Sequence, residues 1–421
     1  MKKLLVYADF DWLSEIELVG ELSYESIRGS DSYAFEFDDE WLASYGNLFI
    51  SADLNNYRGL QFTQPDKDVF GCFSDSLPDR WGRTLINRRE QIAATKENRP
   101  VRRLSSFDYL VGIDDFSRMG GFRFKEASNG EFLNSDNELS IPPLTNIREL
   151  IYASQEVEKS EEDNILPDMK WLAQLVQPGS SLGGARPKAS VIDADNVLHI
   201  AKFPSRKDDY NVGLWEHFCH LLANKAGIDT ASTQVISTND RYHTLLSRRF
   251  DRTKTNKRIH FASAMTLLGL SDGDNAGTGN GYLDIVDFII QHSTAVNNNL
   301  QELYRRVAFN ICVGNSDDHF RNHGFLLTPK GWTLSPAYDM NPTLSEYQSL
   351  LISTSSNKAD LKVLLNSCED YLLPRDVALN IIHEVATVVK DWKALATKLG
   401  IGNNEIRLFE NTFNSRIDGY Y

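Results

Sequence analysis

A helix that has to be buried runs without a break into a segment that resists burial. Leu303 to Val313 is apolar along one face and belongs in a core. The residues after it, Gly314-Asn315-Ser316-Asp317-Asp318-His319-Phe320-Arg321-Asn322, are almost all polar. Burying such groups without partners is costly, so a dense polar run at the end of a core helix makes an awkward loop and a natural site. A metal centre built from Asp317, Asp318 and His319 is one alternative, although adjacent residues seldom point at one ion.

The chain around this segment is 421 residues long, enough for two or three domains. Hydrophobic residues make up 41% and charged residues 24%, so large cores need neither metals nor disulfides. Cys72, Cys219, Cys312 and Cys368 lie far apart with no CxxC pair, which excludes a zinc finger. Cys219 and Cys312 fall in apolar helical stretches and read as buried thiols, and nothing suggests an oxidising compartment. The start, Met1-Lys2-Lys3-Leu4-Leu5-Val6, resembles a signal peptide, but Asp9 and Asp11 interrupt it, and a first β-strand is the better reading. No stretch reaches the ~18 apolar residues of a membrane helix. The expectation is a cytoplasmic protein with no membrane partner. A formal net charge of −14 argues against broad binding of nucleic acid by the chain itself.

Along the chain, residues 1–130 alternate strand-like runs (Lys3 to Tyr7, Tyr33 to Phe37) with turns. A helix start follows at Asp75 to Trp81, with Pro78 early in it. The acidic run 154–163 reads as a loop or an exposed helix face and is the candidate connection. Ala189 to Ile192 and Val197 to Phe203 form a hairpin around Asp195-Asn196, Trp215 to Ala226 a helix, and Leu245 to Phe250 a strand. From residue 251 the pattern is mainly helical. Val377, Ile381, Val385, Val388, Trp392, Leu395 and Leu399 make one stripe of period 3.6 between Pro374 and Gly400. The Gly-rich loop 271–281 fails as a calcium loop, because Ala276 takes its fifth position and no Glu its twelfth.

Phosphoryl transfer needs a flexible backbone and a lysine at the phosphates, a carboxylate for the hydroxyl proton, and an amide plus a carboxylate for magnesium. Gly179-Ser180-Ser181-Leu182-Gly183-Gly184 offers the backbone, a plain turn being the bland alternative. It is not a Walker A loop, since Lys188 follows Pro187 and precedes Ala189. Ile200-Ala201-Lys202 resembles the end of a kinase V-A-I-K strand, an edge-strand lysine being the plain alternative. Glu216, fourteen residues on, stands where a lysine-pairing glutamate belongs, or is a surface glutamate. Asp317 and Asn322 keep the D-x-x-x-x-N spacing. Asp339, after a strand at Phe325 to Leu327, stands where D-F-G supplies its metal carboxylate, or is an isolated Asp before a turn. G-x-G-x-x-G, H-R-D and A-P-E are missing.

Gly183-Gly184-Ala185-Arg186-Pro187-Lys188, Ile200 to Pro204, Arg249-Phe250-Asp251-Arg252, Arg258-Ile259-His260, Asp317 to Asn322 and Tyr338-Asp339 together resemble the HipA family of bacterial toxin kinases. Leu77-Pro78-Asp79 and Phe107 to Leu110 resemble that family's N-terminal region, so the likeness spans nearly the whole chain. It implies an α+β fold: a two-lobed protein-kinase or phosphatidylinositol-kinase-like architecture with an N-terminal α+β region (1–130), a strand-rich ATP-binding lobe (131–250) and a mainly helical catalytic lobe (251–421). It implies ATP and Mg²⁺ as cofactors and transfer to protein Ser/Thr, with Asp317 as base and Asn322 and Asp339 on the metal. Ser181, Gly183, Gly184, Lys202, Glu216 and His319 belong to the ATP site, with Arg248 and Phe250 at the adenine hinge. Ser181, or Ser180 beside it, matches an inhibitory autophosphorylation site. Expected partners are a translation-related protein, such as an aminoacyl-tRNA synthetase, and a HipB-like HTH antitoxin that alone touches DNA. Asp318 departs from the small residue common after the catalytic Asp, and Arg186-Pro187 from the Gln-Glu of some members. Rival readings are a small-molecule or lipid kinase of the same fold and a silent, antitoxin-binding pseudokinase.

Overall fold

The alternation Leu4, Val6, Ala8 sets the first strand, β1 (Lys2–Ala8), with these three side chains fully buried on one face. β1 pairs antiparallel with both β2 (Glu17–Ile27) and β5 (Phe122–Lys125), and β2 pairs with β3 (Ser30–Phe37). With β4 (Gln61–Phe62) at one edge, the sheet order is β4-β3-β2-β1-β5. The signal-like start is thus an interior strand. The computed structural model describes residues 1–27, 30–64, 67–135, 141–176, 184–238 and 241–420. These fall into two compact units, residues 1–207 with 246–262, and residues 208–245 with 263–421.

In the first unit, Phe35, Phe70, Phe73, Phe122 and Phe124 fill the space over the sheet. The helix Arg80–Lys96 starts at Asp79, whose carboxylate accepts the Gly82 N–H. Pro78 therefore precedes the cap rather than entering the first turn. The acidic run expected as a loop or an exposed face lies in the helix Ile147–Glu162, and its Ser154, Val157, Glu158 and Ser160 are buried. Glu158 accepts from Ser205 Oγ (2.6 Å) and the Arg206 N–H (3.0 Å), so part of that run is an internal anchor. The hairpin β6 (Lys188–Ile192) and β7 (Leu198–Lys202) forms as expected, with Lys188 opposite Lys202.

Residues 249–258 knit this unit together. Asp251, fully buried, takes a two-pronged bond from Arg249 (2.6 Å on each oxygen), one from Arg252 (2.6 Å), and the Gly120 N–H (2.9 Å). Burial pushes its carboxyl up, but Arg249 and Arg252 outweigh that and hold it well below the ordinary carboxylate range. Arg252 also donates to the carbonyls of Phe116 and Arg118, and Arg258 to the carbonyl of Asp115.

The second unit centres on the helix Val296–Val313, which begins earlier than expected and is buried nearly all round from Arg306 to Val313. Gly314, at φ +76°, ends it, and Arg416 Nη1 donates to the Ile311 carbonyl at 3.0 Å. A Cβ on Gly314 would meet Thr412 Cγ2 at 2.4 Å, so glycine is required there. The long stripe 377–399 is two helices, Arg375–Lys390 and Trp392–Lys398, which meet at Asp391 (ψ 16°). The period survives because Trp392 stays wholly buried and stacks on Phe413 at 4.5 Å. All four cysteines are reduced and buried.

Candidate active site

The polar run after Gly314 splits into residues with opposite environments. Asp317 is exposed, whereas Asp318 is 3% exposed and faces inward. Asp318 Oδ2 accepts from Tyr282 Oη (2.6 Å) and Asn310 Nδ2 (2.8 Å) and lies 2.8 Å from His323 Nε2. Burial raises the Asp318 carboxyl, but the His323 and Tyr282 contacts outweigh it, and the group titrates below its ordinary value. Burial and the neighbouring carboxylate push the Tyr282 hydroxyl far up, so it remains a donor. A metal centre shared by Asp317, Asp318 and His319 is thereby overturned: the two carboxylates differ in burial, and Asp318 Oδ2 is engaged by three neighbours. Among the described residues, no cluster of three His, Cys, Asp or Glu could hold an ion.

Asp318 anchors a chain of amides. Asn310 Oδ1 accepts from Asn315 Nδ2 (3.1 Å), and Asn315 Oδ1 accepts the Asn341 N–H (3.4 Å). The Thr343 N–H donates to the Gly314 carbonyl (2.8 Å), Ser316 Oγ bonds Thr343 Oγ1, and Tyr338 Oη bonds the Arg321 carbonyl (2.5 Å). Segments 314–322 and 338–343 are therefore stitched side by side, and the first carries Asp317 and Asn322, the second Asp339. Asp339 sits at φ +56°, a left-handed backbone that costs a non-glycine residue free energy and concentrates at functional sites. Asn322, mostly buried, donates its Nδ2 to the Asp317 carbonyl at 3.2 Å, so its amide oxygen takes no part in that bond.

Glu216 is not a surface residue. It is 2% exposed on the helix Val212–Lys225, and Oε2 accepts from Asn341 Nδ2 at 3.5 Å. His319, half-buried, precedes the short 3₁₀ turn Phe320–Asn322. His319 Nδ1 and Asn341 Oδ1 are buried and have no hydrogen-bond partner among the described residues, as in a shell that a ligand completes. Oxygen donors from one amide and one carboxylate suit Mg²⁺, which takes few protein ligands and keeps water and phosphate.

In the first unit, Lys202 is 8% exposed at the end of β7. It is not on an edge strand, because β7 lies between β6 and the strand Thr244–Arg248, and Arg249 beyond it donates its N–H to the Leu198 carbonyl at 2.9 Å. Arg248 and Phe250 are half-buried, with Phe250 packed on Phe261 at 5.8 Å. The expected strand through Phe250 ends at Arg248. Gly184 is exposed, and Ser180, Ser181 and Gly183 lie outside the described residues. Sequence reasoning missed Asn310, Asn315, Asn341 and Tyr282. Asn310, a lone amide near the end of an apolar helix, was the available signal.

A family model described as the HipA-like C-terminal domain matches residues 180–392, and one described as the HipA N-terminal domain matches residues 12–107. The "Serine/threonine-protein kinase toxin HipA" of Shewanella oneidensis is 27% identical over 350 residues, covering 77% of this chain and 72% of that protein. A chain from the solved complex of the Shewanella oneidensis MR-1 toxin–antitoxin system HipA, HipB and operator DNA superposes with a TM-score of 0.69. That match covers 99% of this chain and 97% of the other at 17% identity, and so carries the fold. With both family domains matched in order along the α+β fold of its structural relative, this chain belongs to the HipA family.

Proposed function

We propose that the chain is an ATP-dependent serine/threonine protein kinase of the toxin class. The observation that carries this is the stitched pair of segments 314–322 and 338–343. An exposed carboxylate (Asp317) stands on one, and a carboxylate on strained backbone (Asp339) on the other, beside a buried, hydrogen-bonded anchor (Asp318). The names of the relatives agree with it.

Asp317, exposed at the start of the loop, orients the acceptor hydroxyl and takes its proton. Asn322 and Asp339 hold Mg²⁺, which when bound supplies positive charge against the phosphate oxygens. The Asn322 bond to the Asp317 carbonyl fixes the loop, so the base and the metal amide move as one piece. Lys202 holds the ATP phosphates, and Glu216 and His319 are assigned to ATP binding with it. Arg248 and Phe250 flank the adenine. Positioning and fixed charge provide most of the acceleration.

Residues 1–130 form the partner-binding region, 131–250 the ATP-binding lobe and 251–421 the catalytic lobe. Ser181, or Ser180, accepts phosphate from the same site, and the added dianion then repels ATP. The remaining partners are a translation-related protein substrate and a HipB-like antitoxin. The test is transfer of label from γ-labelled ATP to protein serine or threonine in a cell extract. Wild type labels discrete proteins and Asp317→Ala labels none. Equal labelling by both proteins sinks the assignment of the base. Label recovered in lipid or small molecules moves the chain to another acceptor class.

A further inference from the structure

Lys188 has no part in the chemistry described above, yet it is among the most deeply buried charges of the first unit, 1% exposed. Its Nζ donates to Asp79 Oδ2 at 2.7 Å and to the Gly184 carbonyl at 2.8 Å. Asp79 is equally secluded, and its other oxygen caps the helix Arg80–Lys96 through the Gly82 N–H at 2.8 Å. Trp81, in the first turn of that helix, donates Nε1 to the Lys188 carbonyl at 3.1 Å. One helix start thus holds Lys188 by side chain and backbone, and Lys188 holds Gly184, the last glycine of the Gly/Ser loop.

Lys188 also stands opposite Lys202 across β6 and β7. Like charges directly opposite in an antiparallel pair repel. The Asp79 carboxylate neutralises Lys188 within the protein, which relieves that repulsion at Lys202.

We propose that Lys188 is a positioning residue for ATP, clamped by Asp79 and Trp81, which fixes the Gly184 end of the phosphate loop and cancels its own charge beside Lys202. The clamp makes the N-terminal region a part of the ATP site's framework: a partner that shifts the start of the Arg80–Lys96 helix alters ATP affinity without touching the nucleotide. This rests on the kinase reading.

The test is calorimetric binding of a Mg²⁺-loaded non-hydrolysable ATP analogue to the full chain, with the rate of self-labelling at saturating Mg-ATP measured in parallel. Asp79→Asn/Lys188→Met removes both charges and keeps an N-cap acceptor. It should weaken binding about ten-fold, the scale of one charge-assisted hydrogen bond, while the saturated rate stays within about three-fold. Trp81→Phe keeps the ring and deletes one N–H bond, so it reports even if the double variant fails to fold, and should weaken binding about three-fold. Binding within two-fold of wild type in the folded variants overturns the proposal, whatever their melting temperatures, as does a fall in saturated rate with affinity unchanged. Wild type that binds no nucleotide overturns the kinase reading itself and this proposal with it, an outcome distinguishable from failure of the clamp alone.

Discussion

Asp317 and Asp318 are neighbours with opposite burial, and replacing each by alanine should give opposite results. Asp318→Ala removes the acceptor of Tyr282 Oη, Asn310 Nδ2 and His323 Nε2, all on residues at most 4% exposed. Hydrogen bonds to a charged group contribute about 1.5–3 kcal/mol each, but three on one oxygen are not additive and the donors relax partly. The cost of stripping one partner from a buried charged set, about 3–5 kcal/mol, is the better guide. With a urea m-value of about 2 kcal/mol/M, the denaturation midpoint should fall by about 1.5–2.5 M. Asp317→Ala removes an exposed carboxylate and should stay within about 0.5 kcal/mol of wild type while phosphoryl transfer is lost. The assay is paired urea denaturation, followed by circular dichroism, with label transfer on the same preparations. An Asp318→Ala midpoint within about 0.2 M of wild type would refute the anchor reasoning.

Asp251→Asn leaves Arg249 and Arg252 buried without their carboxylate, and should destabilise the first unit by about 3–5 kcal/mol in the same denaturation assay. His260 is wholly buried between Phe10 and Phe122, accepts the Gly121 N–H, and has its pKa pushed down to about 3 by desolvation. Its neutral form is therefore the native one. Stability is full above about pH 6.5 and falls as pH drops from there toward 3, by about 3 kcal/mol at pH 4.5; a pH series of melts should show this slope reduced in His260→Gln. Asp339→Gly relieves a left-handed backbone and should gain up to about 1 kcal/mol in thermal stability while ending transfer. A glycine variant that is both less stable and active contradicts the role given to that carboxylate.

What the sequence disclosed was local. Alternation at Leu4, Val6 and Ala8 reads directly as a strand, and the D-x-x-x-x-N spacing picks out Asp317 over Asp318 because it counts along one loop. What it hid was either long-range or a break in phase. Asp79 and Lys188 pair 109 positions apart and leave no periodic trace. The acidic run 154–163 looked solvated because composition cannot reveal that Ser205 and Arg206 fold back onto Glu158. The stripe from Val377 to Leu399 kept its period across the bend at Asp391, since both helices turn the same face to the core. Arg248 to Phe250 read as an adenine hinge, yet Arg249 joins Asp251 and Arg252 in a buried ion network, and Arg248 and Phe250 stay half-buried.

The central claim is tested most directly by intact-mass spectrometry of the purified chain after incubation with Mg-ATP, beside Asp317→Ala and Asp339→Ala, with thermal stabilisation by Mg-ATP recorded on the same samples. The account predicts a wild type stabilised by Mg-ATP that gains phosphate at Ser181 or Ser180, and two variants that gain none. A wild type that neither gains phosphate nor is stabilised by Mg-ATP contradicts it.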